Sequence, residues 1–354
     1  MLLERHKNVL FARSATAAAL AAGTLAGLGI AAVHGTPAAR PPALVRHGSA
    51  PLLAAPFRFD PLAAAVKRAR HQPRPRHATA AGPRATISLY ERTAYPRTLR
   101  RQGCTAAKRG VGGVVILDFG QPAYNGHTYG TNLFSGRFAG NAEITRGLLA
   151  YARGYAYCVD PSSDLRISLA RGTSNYHPAV PSAYKAGRKW ARETMRLSQI
   201  LRREGVDRFV TSAAADDVEP AWDRTFHRTR DFYRGYRDGG LGHLLYNYGS
   251  LDGGVGSIWN LRQAFYVAAG MKYARPIPEI YNHAMARQWA ELAHIARHVY
   301  HRPVQFAGVM TTHTSANHGM KPADAHRSLV RALATVGASA ADLPPTLTNI
   351  RSAY

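Results

Sequence analysis

The chain has 354 residues, 46% of them hydrophobic, with 46 Lys/Arg against 21 Asp/Glu and a formal net charge of +25. That length holds one large domain with appendages, and the charge excludes an acidic, polymer-solvating class. Such a surface attracts polyanions (nucleic acid, acidic wall polymers, anionic lipid headgroups), but Arg greatly outnumbers Lys and Ala is abundant, which coding bias also produces. No zinc-finger, RRM, KH or helix-turn-helix pattern accompanies the charge, so no specific nucleic-acid partner is expected.

Arg5, His6, Lys7 and Arg13 form a positive start, Ala15 to Val33 is a small-residue apolar run, and Gly35-Thr36-Pro37-Ala38-Ala39 offers a cleavage zone. This predicts a signal peptide over 1–39, a secreted, extracellular or wall-associated protein, and no stable membrane span after cleavage. Residues 40–85 are rich in Pro, Arg and Ala and lack an apolar period, the pattern of a disordered linker. Residues 1–84 alone carry 12 Lys/Arg against 2 Asp/Glu, a net of +10. Cys104 and Cys158 form an even pair: in an oxidising compartment they close a disulfide, and otherwise they are two buried thiols. Their spacing matches no metal motif, and no metal or cofactor is expected.

Order is predicted to begin near Thr86, with a strand to Tyr90. Gly113–Asp118 is a continuous apolar run, the mark of a strand buried on both faces. Asn141 is placed as a helix cap before Ile144, Leu148, Leu149 and Ala152 at helical spacing. Strand Leu165–Ala170, helix Ser182–Arg203 ended by Gly205, strand Arg208–Ala215, helix Thr225–Tyr236 and strand His243–Tyr248 follow. Then come a helix capped by Ser257, strand Ala274–Ile280, helix His283–Val299, strand Val304–Met310 and helix Ala323–Val336. Strands alternating with helices mean parallel βαβ units, here a (β/α)8 TIM-like barrel over 86–340 with a C-terminal tail at 341–354. Seven strands are visible and the eighth is missing. An open doubly wound sheet is the alternative, but no Gly-rich phosphate fingerprint follows an early strand.

Polar groups gather at the strand ends, where barrels place their chemistry. They are Asp118 and Gln121; Arg171, Asn175 and Tyr176; Asp216, Asp217 and Glu219; Tyr246, Asn247 and Tyr248; and Glu279, Tyr281 and Asn282, with Trp222 nearby. Asp217 and Glu219 stand two apart, so on an extended segment they share a face, and close carboxylates push one another's pKa apart. Glu279, between prolines and apolar residues, is an acid costly to bury without a role. Glu219, Glu279, Asp217 and Asp118 are the catalytic candidates, and the other residues named are candidates for binding.

Leu117-Asp118-Phe119-Gly120-Gln121 followed by Asp217-Val218-Glu219 resembles the pattern of lysozyme-like glycoside hydrolases of family 25 and their secreted relatives. The chain as a whole resembles secreted barrel proteins of actinobacterial type. The resemblance implies a glycosidase with Glu219 as general acid and with Asp217 and Asp118 orienting the substrate. It departs from the family in Phe119-Gly120 and in Arg171–Tyr176. The expectation is a monomeric glycoside hydrolase acting on a cell-wall glycan or extracellular polysaccharide. The alternative is a non-catalytic barrel that binds carbohydrate or cell wall.

Overall fold

The computed structural model describes residues 84–352 apart from 241, 315–316, 339–342 and 345. The expected signal peptide and the expected linker up to residue 83 lie outside the described residues. In chain order the elements are β1 (Arg84–Tyr90), α1 (Pro96–Lys108), β2 (Gly113–Asp118), β3 (Gln121–Tyr124), β4 (Tyr129–Asn132), β5 (Phe138–Gly140) and α2 (Asn141–Cys158). They continue with β6 (Ile167–Ser174), α3 (Ala183–Glu204), β7 (Val210–Asp217), α4 (His227–Gly240), β8 (Leu245–Gly249), α5 (Leu261–Phe265) and β9 (Ala274–Pro278). The last are α6 (His283–His298), β10 (Val309–Thr311), β11 (His313–Thr314), β12 (Asn317–His318), α7 (Pro322–Thr335) and β13 (Thr346–Ser352).

Eight parallel strands run in the order β10-β13-β1-β2-β6-β7-β8-β9. A parallel bridge between Glu279 and Met310 joins β9 to β10 and closes the ring, with Ile280 N donating to Met310 O at 2.8 Å. This is the (β/α)8 TIM-like barrel expected from the alternation. The missing strand is β13, in the stretch expected to be a tail. It pairs with β1 from Arg84↔Thr346 to Tyr90↔Ser352 and with β10 at Val309↔Leu347. Thr86 Oγ1 and Thr348 Oγ1 share a buried hydrogen bond of 2.5 Å. The Thr/Asn/Arg content of this strand hid it, since only its inward positions such as Ile350 need to be apolar. β1 also begins at Arg84, two residues inside the expected linker.

Alternation along the strands sorts the side chains into two layers. Val115, Leu117, Leu169 and Ala214 face the helices. Val114, Ile116, Ala170, Ala213, Ala215, Tyr246, Tyr248, Ile277, Met310 and Ile350 fill the barrel. The alanines of β6 and β7 leave room for the two β8 tyrosines, so small and large side chains share the narrow interior.

Besides the short hairpin β11–β12, two larger features were absent from the sequence reading. One is α1, which begins with Pro96 at its first turn and buries Leu99, Gly103, Ala106 and Ala107. The other is the antiparallel sheet β3-β4-β5, inserted between β2 and α2. Two caps also differ. Asn141 starts α2 but has its side chain elsewhere, and the helix at 261 is capped by Asn260 in a capping box with Gln263, not by Ser257. Ser182 does cap α3, accepting from Lys185 N, and Gly205 ends it in the left-handed region at φ 69°.

The outer helices pack in close pairs. A Cβ on Gly154 of α2 would lie 2.0 Å from Arg100 O of α1, and one on Gly187 of α3 would lie 2.0 Å from Phe232 O of α4. Only glycine allows backbones this near. Cys104 and Cys158 are disulfide-bonded across the α1–α2 pair, with Cα atoms 5.0 Å apart. Among the described residues no helix is long and apolar enough to cross a membrane.

Candidate active site

The C-terminal ends of the strands bring acids and phenols together inside the barrel. Tyr90 closes β1, Asp118 closes β2, Asp217 closes β7, Tyr248 lies near the end of β8, and Glu279 and Tyr281 follow β9. The charges of Asp217, Glu279 and Asp118 all bear on Tyr90, and those of Asp118 and Asp217 on Tyr248. Three carboxylates and three phenols therefore converge at one mouth. Burial, before any of these charges, raises both tyrosines well above the ordinary phenol value, so both stay protonated.

Asp118 is the best defined of the acids. It is fully buried, and its Oδ2 accepts from the Tyr248 hydroxyl at 2.7 Å while Oδ1 accepts from Gly120 N at 2.7 Å. Gly120 permits that turn at φ 84°, where a Cβ would lie 2.5 Å from Asn132 O. Burial raises the Asp118 carboxyl from 3.8 to about 6, against the lowering effect of its two hydrogen bonds. A carboxyl poised there can exchange a proton near neutrality.

Glu219, two residues beyond the end of β7, has extended backbone (φ −121°, ψ 129°). Its backbone is clamped: Glu219 N donates to Asn175 Oδ1 at 3.0 Å, and Asn175 Nδ2 donates to Glu219 O at 3.1 Å. Asn175 is thus a positioning group for the β7 loop. Tyr176 stands edge-on to Trp222, ring centres 5.4 Å apart.

Other expected site residues do not reach the mouth. Arg171 points into the helix layer, where its Nη2 donates to Asn141 Oδ1 at 2.6 Å and its Nη1 to Thr145 Oγ1 at 2.8 Å, with Trp190 stacked 4.1 Å away. Burial lowers this guanidinium to about 9. Asp216 also faces outward, into a recess between β6–β7 and α3–α4 lined by Ser174, Thr229 and Phe232, and burial raises its carboxyl well above the usual range. Its register partner Asn247 lines a second outward recess beside Trp259 and Trp289. Both follow from alternation: one residue along from an inward position points out. Tyr246 points inward, but its hydroxyl reaches Ser168 Oγ at 3.0 Å, near the start of β6. Gln121 belongs to the inserted sheet, donating to His177 O, and Asn282 caps α6 by accepting from Met285 N at 3.1 Å.

The sequence reading missed Tyr90 and Glu91. Phe134 of the β4–β5 turn stacks on Tyr90 at 4.6 Å, so the inserted sheet reaches the mouth. Glu91 is fully buried, donates its N–H to Asp118 O at 2.7 Å, and accepts from Gln102 Nε2 at 3.3 Å. Burial raises its carboxyl from 4.5 to about 8. An acid directly after a strand was the available signal, the same one that marked Asp118. Among the described residues no group of three or more His, Cys, Asp or Glu is arranged to hold a metal ion.

Neither a family model nor a curated protein matches the chain. Among solved structures it is similar to a protein of Labrenzia alexandrii DFL-11 assigned as a mandelate racemase/muconate lactonizing enzyme, at 15% identity and a TM-score of 0.29. The match covers 60% of this chain and 51% of the other, so the chain spans about half the length of that protein. The expectation of a glycoside hydrolase or carbohydrate-binding wall protein is corrected. No family model and no curated relative supports it. Asp118, Asp217, Glu219 and Glu279 are each at most 5% exposed.

Proposed function

We propose that the barrel mouth is a general acid–base site that moves a proton on a compact substrate carrying positive charge or hydrogen-bond donors. The observation that carries this reading is the Asp118–Tyr248 pair, set among Asp217, Glu279, Tyr90 and Tyr281. Ionised acids and phenol oxygens accept hydrogen bonds and attract cations, while a phosphate or carboxylate would meet repulsion there. These acids are almost wholly shielded from water, which strengthens each charge interaction with a bound group. Above about pH 6 the Asp118 carboxylate takes the proton, and the Tyr248 hydroxyl, which keeps its own, orients that carboxylate and steadies charge that develops beside it.

The test has two stages. Small amines (ethanolamine, choline, putrescine) and anions (acetate, citrate, phosphate) are compared by thermal shift. Amines should stabilise the protein, and Asp217→Asn with Glu279→Gln should remove the effect. Equal stabilisation by anions, or no loss in the double variant, overturns the reading. An amine whose carbon–hydrogen bond is activated by a neighbouring carbonyl (aminoacetone) is then incubated in D2O and followed by NMR. Exchange of a carbon-bound proton that falls about 10²–10⁴-fold in Asp118→Asn supports acid–base catalysis, and exchange at the wild-type rate in that variant refutes it.

A further inference from the structure

We infer that the outer face of α3 is a docking surface for the phosphodiester backbone of a nucleic acid, held without sequence readout. Lys185, Arg188, Lys189, Arg192, Arg196 and Arg203 are all exposed. At 100° per residue they fall on one arc of about 100°, and together with Gln199 they occupy the whole outward stripe. The opposite side of the helix, from Ala186 and Trp190 to Leu197 and Leu201, is buried. From Lys185 to Arg203 the stripe runs about 27 Å along the helix axis. That spans several successive phosphates of one strand.

Three observations make this more than a solvated face. First, the cations repel one another: Lys185 and Lys189, Arg188 and Arg192, and Arg192 and Arg196 are i,i+4 pairs of like sign, an arrangement that destabilises a helix. The one acid among them, Glu193, lies 3.9 Å from Arg196 and accepts from Thr145 Oγ1 at 2.7 Å, which turns it toward α2. Second, the alignment is confined to α3. It holds seven Lys/Arg and two Glu, six of the cations exposed on one arc; α1 is also basic, with four Lys/Arg and no acid, but no other described helix has more than four Lys/Arg in all. Third, the stripe carries no anchor for a membrane or for stacked bases. The exposed large hydrophobics, Tyr95, Tyr157, Leu261 and Val299, all lie elsewhere. A membrane-surface helix presents an apolar face, and single-strand binding uses aromatic platforms. A straight, Arg-rich, apolar-free line fits backbone phosphates, which Arg can grip through two N–H groups at once. Close packing of α3 on α4 at Gly187 keeps the line rigid.

The test uses the full chain and a 30-base-pair mixed-sequence DNA duplex, titrated by fluorescence anisotropy from 50 to 200 mM salt. Arg188→Gln/Arg192→Gln/Arg196→Gln should weaken binding at least 10-fold at 100 mM salt and reduce the slope of log K against log salt by about 3. The control Arg97→Gln/Arg100→Gln/Arg101→Gln removes the same charge from exposed positions of α1 and should change affinity no more than about twofold. Equal losses in both variants would mean diffuse attraction and overturn the site. So would binding of anionic vesicles, but not of duplex, that depends on the α3 residues. Circular dichroism of both variants excludes a folding defect.

Discussion

The Tyr248 hydroxyl donates to Asp118 Oδ2 at 2.7 Å across 130 residues of sequence, in the fully buried mouth of the barrel. This bond lowers the Asp118 carboxyl, while burial raises it to about 6. Tyr248→Phe should therefore move Asp118 further above 6, read from the pH titration of its carboxyl carbon by 13C NMR. A downward move would show that the hydroxyl does not stabilise the carboxylate. The same shift has a consequence for stability. Its folded-state value exceeds 3.8, so the folded chain holds this proton more tightly than the unfolded chain does. The group's contribution is most favourable below about pH 4 and declines as pH rises to about 6, by on the order of 3 kcal/mol. Urea unfolding of wild type and Asp118→Asn across that window measures it as the pH-dependent part of their difference.

Glu91 extends the same logic to higher pH. Burial raises its carboxyl from 4.5 to about 8, so folding keeps it protonated where the unfolded chain ionises it. Glu91→Gln, which mimics the neutral acid, should flatten the decline in stability between pH 5 and 8. At pH 8 the variant should be more stable than wild type, on the order of a few kcal/mol, by chemical denaturation.

Arg171 is a buried cation held by Asn141, Thr145 and the face of Trp190, while its Nε has no hydrogen-bond partner. Removing a partner leaves charge uncompensated, so Asn141→Ala should cost about 2–4 kcal/mol. Arg171→Met keeps the apolar stem and discards the charge, and it should cost less. In the double variant, Asn141→Ala should add little further loss, because the group it served is gone. Additive losses would deny that the two residues act as a unit.

The α1–α2 pair is tied by the disulfide and by close backbone approach at Gly154. Cys104→Ser/Cys158→Ser should lose about 3–4 kcal/mol through the freed 54-residue loop. Gly154→Ala should lose more than about 2 kcal/mol, since Arg100 O leaves no room for a methyl group. Calorimetry of each variant checks both values.

Closure by β13 makes a length-dependent prediction. A chain ending at residue 340 lacks the strand that joins β1 to β10 and exposes two strand edges. It should give no cooperative thermal transition, whereas a chain ending at 352 should unfold as the full chain does.

Local periodicity in the sequence determined the alternation of strands and helices, the apolar β2, the cap and stop of α3, and the gathering of Asp118, Asp217 and Glu279 at strand ends. These patterns are legible because the spacing of side chains along a single element decides which of them meet the core. Only the tertiary structure decided what faces what. A one-residue step turned Asp216 and Asn247 outward while Asp217 and Tyr248 faced in, and it sent Arg171 to Asn141 and Trp190. It also supplied the eighth strand from a polar C-terminal stretch and set Tyr90 and Glu91 beside Asp118, because barrel closure pairs residues from opposite ends of the chain through backbone hydrogen bonds that carry no side-chain signature.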